Sequence, residues 1–278
     1  LTGLALAQPL FSLLGENPTF FVAHGAGRAE VIAFALLAVV VPAAALTGIV
    51  LLVRALSPRA GSVVMAGVVG LLGAIAVLAA VEAANDANGV AYAVALLLGA
   101  VLLGLAYHRL AAVRSFVTIL GPAPLVFVVL FLFFSPTSDL VLADEPGALA
   151  APQAATDPVV VVLFDELPLG ALLDARGEID RARFPSFARL AASSTWYPNA
   201  TSVSAWTHLA VPSVLTGTLP DQTKPPVAGE YPRSLFTLLG EDYDLKVSEQ
   251  VTSLCPDSLC PADLRTATFV KDTGVVAL

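Results

Sequence analysis

The chain has 278 residues, 57% of them hydrophobic and 13% charged, with a formal net charge of −8. That charged share is about half the ~25% usual for soluble domains, which argues against a single soluble domain. Residues 1–135 carry five Arg (Arg28, Arg54, Arg59, Arg109, Arg114), no Lys and four acids (Glu16, Glu30, Glu82, Asp86), while 136–278 carry the other nine basic and eighteen acidic residues. Two halves in two solvents is the simplest reading, and the acidic balance of the second argues against nucleic acid as a partner.

Residues 1–14 ("LTGLALAQPLFSLL") read as the outer end of an apolar span. With Leu1 already inside that run and "FVKDTGVVAL" at the other end, the sequence reads as a fragment open at both ends. Four further apolar segments, Val31–Val53, Ser62–Ala83, Val90–Tyr107 and Phe116–Phe134, are long enough to cross a bilayer, which takes about 20 residues. Pro122 and Pro124 fall in the last of these, and proline is tolerated in membrane helices where neighbours satisfy the freed carbonyls.

The loops orient the spans. "RALSPRAG" (54–61) and "HRLAAVRS" (108–115) each carry two Arg, whereas "AANDANG" (83–89) carries an Asp and no base. The positive-inside rule places the two Arg loops in the cytoplasm and everything after Phe134 outside it. No Asp, Glu or Lys lies within the core of a span, where a transporter would keep its coupling residues. Residues 1–134 therefore read as a lipid-embedded anchor. His24 and His108 fall in loops and take no role.

Residues 135–157, rich in Ala, Pro and Asp, read as a linker leaving the membrane. After it, "VVVVLF" (159–164) is continuous and largely β-branched, as suits a central strand covered on both faces. Helical spacing follows in "FPSFARLAASS" (184–194), "HLAVPSVLTG" (208–217) and "RSLFTLLGED" (233–242), and "DLKVSEQV" (244–251) reads as a further strand. The alternation predicts an α/β domain over 158–278, a mainly parallel sheet flanked by helices.

In such sheets ligands bind at the carboxyl ends of strands. Asp165 sits at that tip with Glu166 beside it, and hard carboxylate oxygens facing the outside of a cell suit Ca²⁺, Mg²⁺ or Mn²⁺, or join His around Zn²⁺. Equally, Asp165 could simply cap the turn that follows.

Three blocks, "VVVVLFDELPLGALLD", "RFPSFARLAASSTWYPNATSVS" and "THLAVPSVLTG", come in an order and spacing that resemble the start of sulfatase-like proteins of the alkaline phosphatase superfamily. The match covers about residues 158–254. Several spans followed by an outer domain of this kind are similar to lipoteichoic acid synthases and phosphoethanolamine transferases. The resemblance implies an alkaline-phosphatase-like fold and a metal-dependent phosphoester transferase or hydrolase. It also implies an acidic metal ligand at Asp165 and a second at Glu166. The nucleophile falls ten residues before the closing Gly217, at Thr207, which would also touch the metal. Sulfatases need a Cys or Ser in C/S-x-P-x-R, and Thr207–Val211 has neither the Pro nor the Arg, whereas Thr207 with Pro212 matches the phosphoethanolamine pattern.

The chemistry is coherent. A Thr hydroxyl must be activated by a base or a metal, and a divalent ion on Asp165 would lower its pKa and clamp the phosphoryl oxygens. A helix N-terminus favours both alkoxide and phosphate. Against this, Thr is also a good helix cap, and Ser204 and Ser213 are competing hydroxyls nearby. His208 is the one His after the membrane half and a candidate substrate contact. No Asp-His pair occurs between 209 and 278 to complete the family's metal site, so the expectation is a catalytically incomplete fragment.

Cys255 and Cys260, the only cysteines, lie five apart in the half placed outside and are expected to form a disulfide; no further zinc ligands are close. The Ala, Arg and Pro bias with little Lys suggests a bacterium, where the "NATS" sequon (199–202) carries little meaning. The sequence thus predicts a multi-pass bacterial membrane enzyme whose partners are the bilayer and a phosphoester, a phospholipid among the candidates. A sulfatase or phosphodiesterase acting on soluble esters, and a non-catalytic envelope scaffold, are the rival readings.

Overall fold

A computed structural model describes residues 1–82, 89–149 and 157–260. The end of the second predicted span, the Asp86 loop, the middle of the linker and residues 261–278 lie outside the described residues.

A π-helical turn, Gly3–Ala7, leads into α1 (Gln8–Gly15) and α2 (Pro18–Ala23). Then come α3 (Arg28–Leu56), α4 (Pro58–Glu82), α5 (Gly89–Arg109), α6 (Ala111–Ile119) and α7 (Ala123–Phe134). The stretches Arg28–Leu56, Pro58–Ala79, Gly89–Arg109 and Ala111–Phe134 are each long and apolar enough to cross a membrane. Their outward side chains are bare within the protein, for example Leu52 at 65% and Leu97 at 67% exposure. Apolar surface on that scale needs lipid around it, and the chain is a multi-pass membrane protein.

The last span is broken. Gly121 donates to the Thr118 carbonyl and Ala123 to that of Leu120, making a turn at Pro122 that separates α6 from α7. Proline cannot continue the helical ladder. The 12 residues of α7 rise about 18 Å, short of the ~30 Å hydrocarbon core, so α6 must supply the rest. Arg114 in α6 donates to the carbonyls of Tyr107 (3.2 Å) and His108 (3.0 Å), satisfying the C-terminal end of α5.

Helices α4 and α5 pack backbone to backbone. A Cβ on Gly70 would strike the Ala100 carbonyl and Gly104, and one on Gly99 would touch Ala74 at 3.3 Å. Small residues at four-residue spacing (Ala66, Gly70, Ala74) permit that approach, which is how membrane helices associate when water supplies no driving force.

The apolar N-terminal run lies parallel to α7. Gly3 sits against Pro124, Phe11 stacks on Phe131 at 4.7 Å and Gly15 sits against Ser135. Phe21, Phe34, Val31, Val128 and Val141 close the same core. The buried Thr137 hydroxyl bonds the carbonyls of Leu14 (2.9 Å) and Gly15 (3.0 Å) at the end of α1. The end of α1, the start of α3 and the end of α7 therefore share one face. The 29 residues of α3, about 43 Å long, carry Arg54 to the opposite one.

Beyond α7, a 3₁₀ turn (Pro136–Ser138) and α8 (Asp139–Leu142) precede α9 (Leu169–Leu172), α10 (Pro185–Ser193), α11 (Thr207–Thr216) and α12 (Leu235–Leu239). Gly217 ends α11 at φ +69°, a left-handed position suited to glycine, and Ser234 caps α12 through the Thr237 amide. A small core of Leu215, Tyr231 and Leu254 joins the two helices.

The expected α/β architecture is not what forms. Among the described residues there is no sheet, only an antiparallel bridge, Leu173–Ile179, and a parallel one, Val227–Ser253. Val159–Phe164 forms no strand, with each residue at least half exposed, and residues 244–251 form none either. A central strand requires a hydrogen-bonding neighbour on each side. The run of valines records a preference for extended backbone, and no described segment lies alongside to use it.

Candidate functional site

The apolar run 159–164 ends in a turn at Asp165–Glu166, where Glu166 is the one described non-glycine residue in the left-handed region (φ 53°). From the other side, Trp206 in extended backbone (φ −103°, ψ 124°) starts α11, and Thr207 is the first residue of that helix. The two ends meet. The Thr207 hydroxyl donates to Asp165 Oδ1 at 2.6 Å, across 42 residues of sequence.

This bond bears on both of the structural roles the residues could have had. Thr207 does not occupy the N-cap, which is Trp206, and its hydroxyl is directed at a carboxylate. The Asp165 carboxylate accepts from a distant side chain. The first hydrogen bonds of α11 run from Leu209 (3.0 Å) and Ala210 (2.9 Å) to the Trp206 carbonyl, so the amides of Thr207 and His208 precede the helical ladder. Those amides and the helix dipole give the spot a positive partial charge.

Neighbouring hydroxyls are engaged in local backbone structure. Ser204 Oγ accepts the Trp206 amide at 3.1 Å, and the buried Ser213 hydroxyl donates to the Leu209 carbonyl at 3.0 Å. Glu166 is exposed and hydrogen-bonds neither Asp165 nor Thr207. His208 follows Thr207 on the helix, its ring 6.3 Å from that of Trp206. Phe164 packs on Phe187 of α10, ring centroids 5.7 Å apart, at the end of the apolar run.

The two gathered oxygens are hard donors, Asp165 carboxylate and Thr207 hydroxyl, open to solvent. No group of three or more His, Cys, Asp or Glu that could hold a metal occurs among the described residues. Such a pair fits an ion that keeps several waters and shares its remaining positions with substrate phosphate, as Mg²⁺ does. It does not supply a closed, four-ligand zinc centre.

A cleft of about 940 Å³ lies elsewhere, at the seam between the two halves, between 22–30, 139–145 and 227–257. None of Asp165, Glu166, Thr207 or His208 lines it. Its charged wall, including Arg28, Glu30, Glu145 and Glu249, was not identified by sequence reasoning, because no motif links positions so far apart. Cys255 and Cys260 are joined in a disulfide with Cα atoms 6.0 Å apart. Comparison with family models, with curated proteins and with solved structures finds no match to this chain.

Proposed function

We propose that this chain is a membrane-anchored, metal-dependent phosphoester transferase or hydrolase of the sulfatase-like family, acting through Thr207 on cell-envelope substrates. The observation that carries the reading is the 2.6 Å hydrogen bond from Thr207 to Asp165 at the start of α11. Arg54 and Arg59 between the first two spans, with Arg109 and Arg114 between the third and fourth, favour a second half that lies outside the cytoplasm, and the Ala, Arg and Pro bias with little Lys favours a bacterial host. A phosphoester held in the bilayer, such as a phospholipid, would reach a site tethered to that bilayer.

In this mechanism Thr207 Oγ1 attacks phosphorus, its proton passes to Asp165 Oδ1, and the ester P–O bond breaks to an alkoxide that takes a proton from solvent and leaves as the alcohol. The free amides at the start of α11 receive the charge that develops on the phosphoryl oxygens. Asp165 and Thr207 would hold a divalent ion (Mn, Mg, Ca or Zn), with Glu166 a further donor beside them. When bound, such an ion lowers the hydroxyl pKa and neutralises phosphoryl charge. An acceptor alcohol or water then attacks the phospho-threonine, losing its proton to solvent as the P–Oγ1 bond breaks, and Asp165 returns its proton to Thr207 Oγ1.

The test is turnover by the full-length protein in vesicles. Thr207→Ala is expected to lower it on the order of 10³-fold or more, and Thr207→Ser to keep a measurable part. Unchanged turnover in Thr207→Ala would end the nucleophile assignment, and cleavage of sulfate esters in preference to phosphoesters would favour a sulfatase.

A further inference from the structure

We infer that the Cys255–Cys260 loop is a strap that fastens the second half of the chain to the stem leaving the membrane. The stem, residues 143–149, is held at four points. Arg28, at the start of α3, donates to the Ala143 carbonyl at 3.0 Å. Gly229 lies so close that a Cβ there would come within 2.6 Å of the Ala143 side chain. The Asp257 amide, inside the disulfide loop, donates to Glu145 Oε2 at 3.0 Å. The Leu149 amide donates to the Thr237 carbonyl of α12 at 2.7 Å.

One of these four contacts, Asp257 to Glu145, comes from inside the disulfide loop. The chain entering it is fixed by Glu249, whose carboxylate accepts from Thr252 Oγ1 (2.7 Å), the Leu254 amide (2.9 Å) and the Cys255 amide (3.0 Å). The same strand of chain pairs through Ser253 with Pro226 and Ala228, one residue from Gly229. Within the loop, Leu259 lies against Gly240 at the end of α12. Both cysteines are buried. A closed loop of this size loses little entropy on ordering, so it holds the Asp257 amide where Glu145 can use it. The second half is thereby seated on the membrane half, at the seam cleft, rather than swinging on a tether. This inference is independent of the reading of Thr207.

Hydrogen exchange on the full chain in vesicles tests it. Dithiothreitol, oxidised to its cyclic disulfide as the Sγ–Sγ bond becomes two thiols, and the Cys255→Ser/Cys260→Ser double variant both remove the loop closure. Exchange of the Leu149 and Asp257 amides, which bond across the stem, is then expected to quicken about tenfold or more, while that of α3 stays unchanged. If the double variant exchanges faster throughout, Glu145→Ala with the disulfide intact decides, and it should release the stem alone. Stem exchange that stays at the wild-type rate in Glu145→Ala, or after complete reduction, overturns the strap.

Discussion

Thr207 donates a hydrogen bond of 2.6 Å to Asp165 across 42 residues of sequence, with the turn after an apolar run bringing in the acceptor and a helix start bringing in the donor. Neither residue needs the other for local structure. Asp165→Asn is therefore expected to leave the thermal unfolding temperature within about 2 °C, since exposed substitutions rarely move stability beyond ±0.5 kcal/mol. It should still lower phosphoester turnover by ~10²-fold or more, because an amide is a poor proton acceptor. A paired melting curve and activity assay reads both, and retained turnover in Asp165→Asn would remove its role.

Glu166 holds a left-handed backbone angle that an L side chain adopts at a cost of about 1–2 kcal/mol. Glu166→Gly should match or exceed wild-type stability, and Glu166→Val, β-branched and still less suited to that angle, should fall below it. If Glu166 also donates to a metal, Glu166→Gly will weaken Mn²⁺ binding, measured by titration, without losing stability.

In the membrane half, Gly70→Val places a branched side chain where the Ala100 carbonyl and Gly104 already stand. Overpacking of this kind destabilises by about 1–3 kcal/mol, and unfolding in detergent should report it. Gly48→Ala, with open space around the new Cβ, should not shift the curve downward.

The turn at 174–178 carries an acid-sensitive element. The Asp174 carboxylate accepts the amides of Arg176 (2.9 Å) and Glu178 (3.1 Å) and the Arg176 guanidinium, and these bonds, the Arg176 amide foremost, hold its pKa below the usual carboxylate range. A depressed folded pKa contributes stability that is fully present above the unfolded value, ~3.9, and is lost as pH falls through the folded one. Carboxyl NMR should place the Asp174 midpoint below that of an unfolded Asp, and Asp174→Asn should remove this part of the acid response.

The sequence and the structure agree where the signal is local. Runs of twenty apolar residues need lipid whatever they pack against, and the helices over 185–193, 207–216 and 235–239 follow from spacing, proline and capping residues. The sheet failed because "VVVVLF" encodes a conformation and carries no record of a partner. Asp165 and Glu166 stood out as carboxylates closing an apolar run, and Thr207 only through the resemblance: one-dimensional spacing has no way to express that Asp165 meets Thr207, or that Asp257 meets Glu145. The break at Pro122 was visible as a proline, while its consequence, a span built from two helices, depended on the turn around it.

The most direct measurement is a mass determination on the full-length protein quenched in acid during turnover of vesicles containing phospholipid and Mn²⁺. The expected result is a phosphate-bearing adduct on the peptide containing Thr207, absent in Thr207→Ala and trapped less in Asp165→Asn. Turnover with no adduct there, or with the adduct on Ser204 or Ser213, would contradict the assignment of Thr207 as nucleophile.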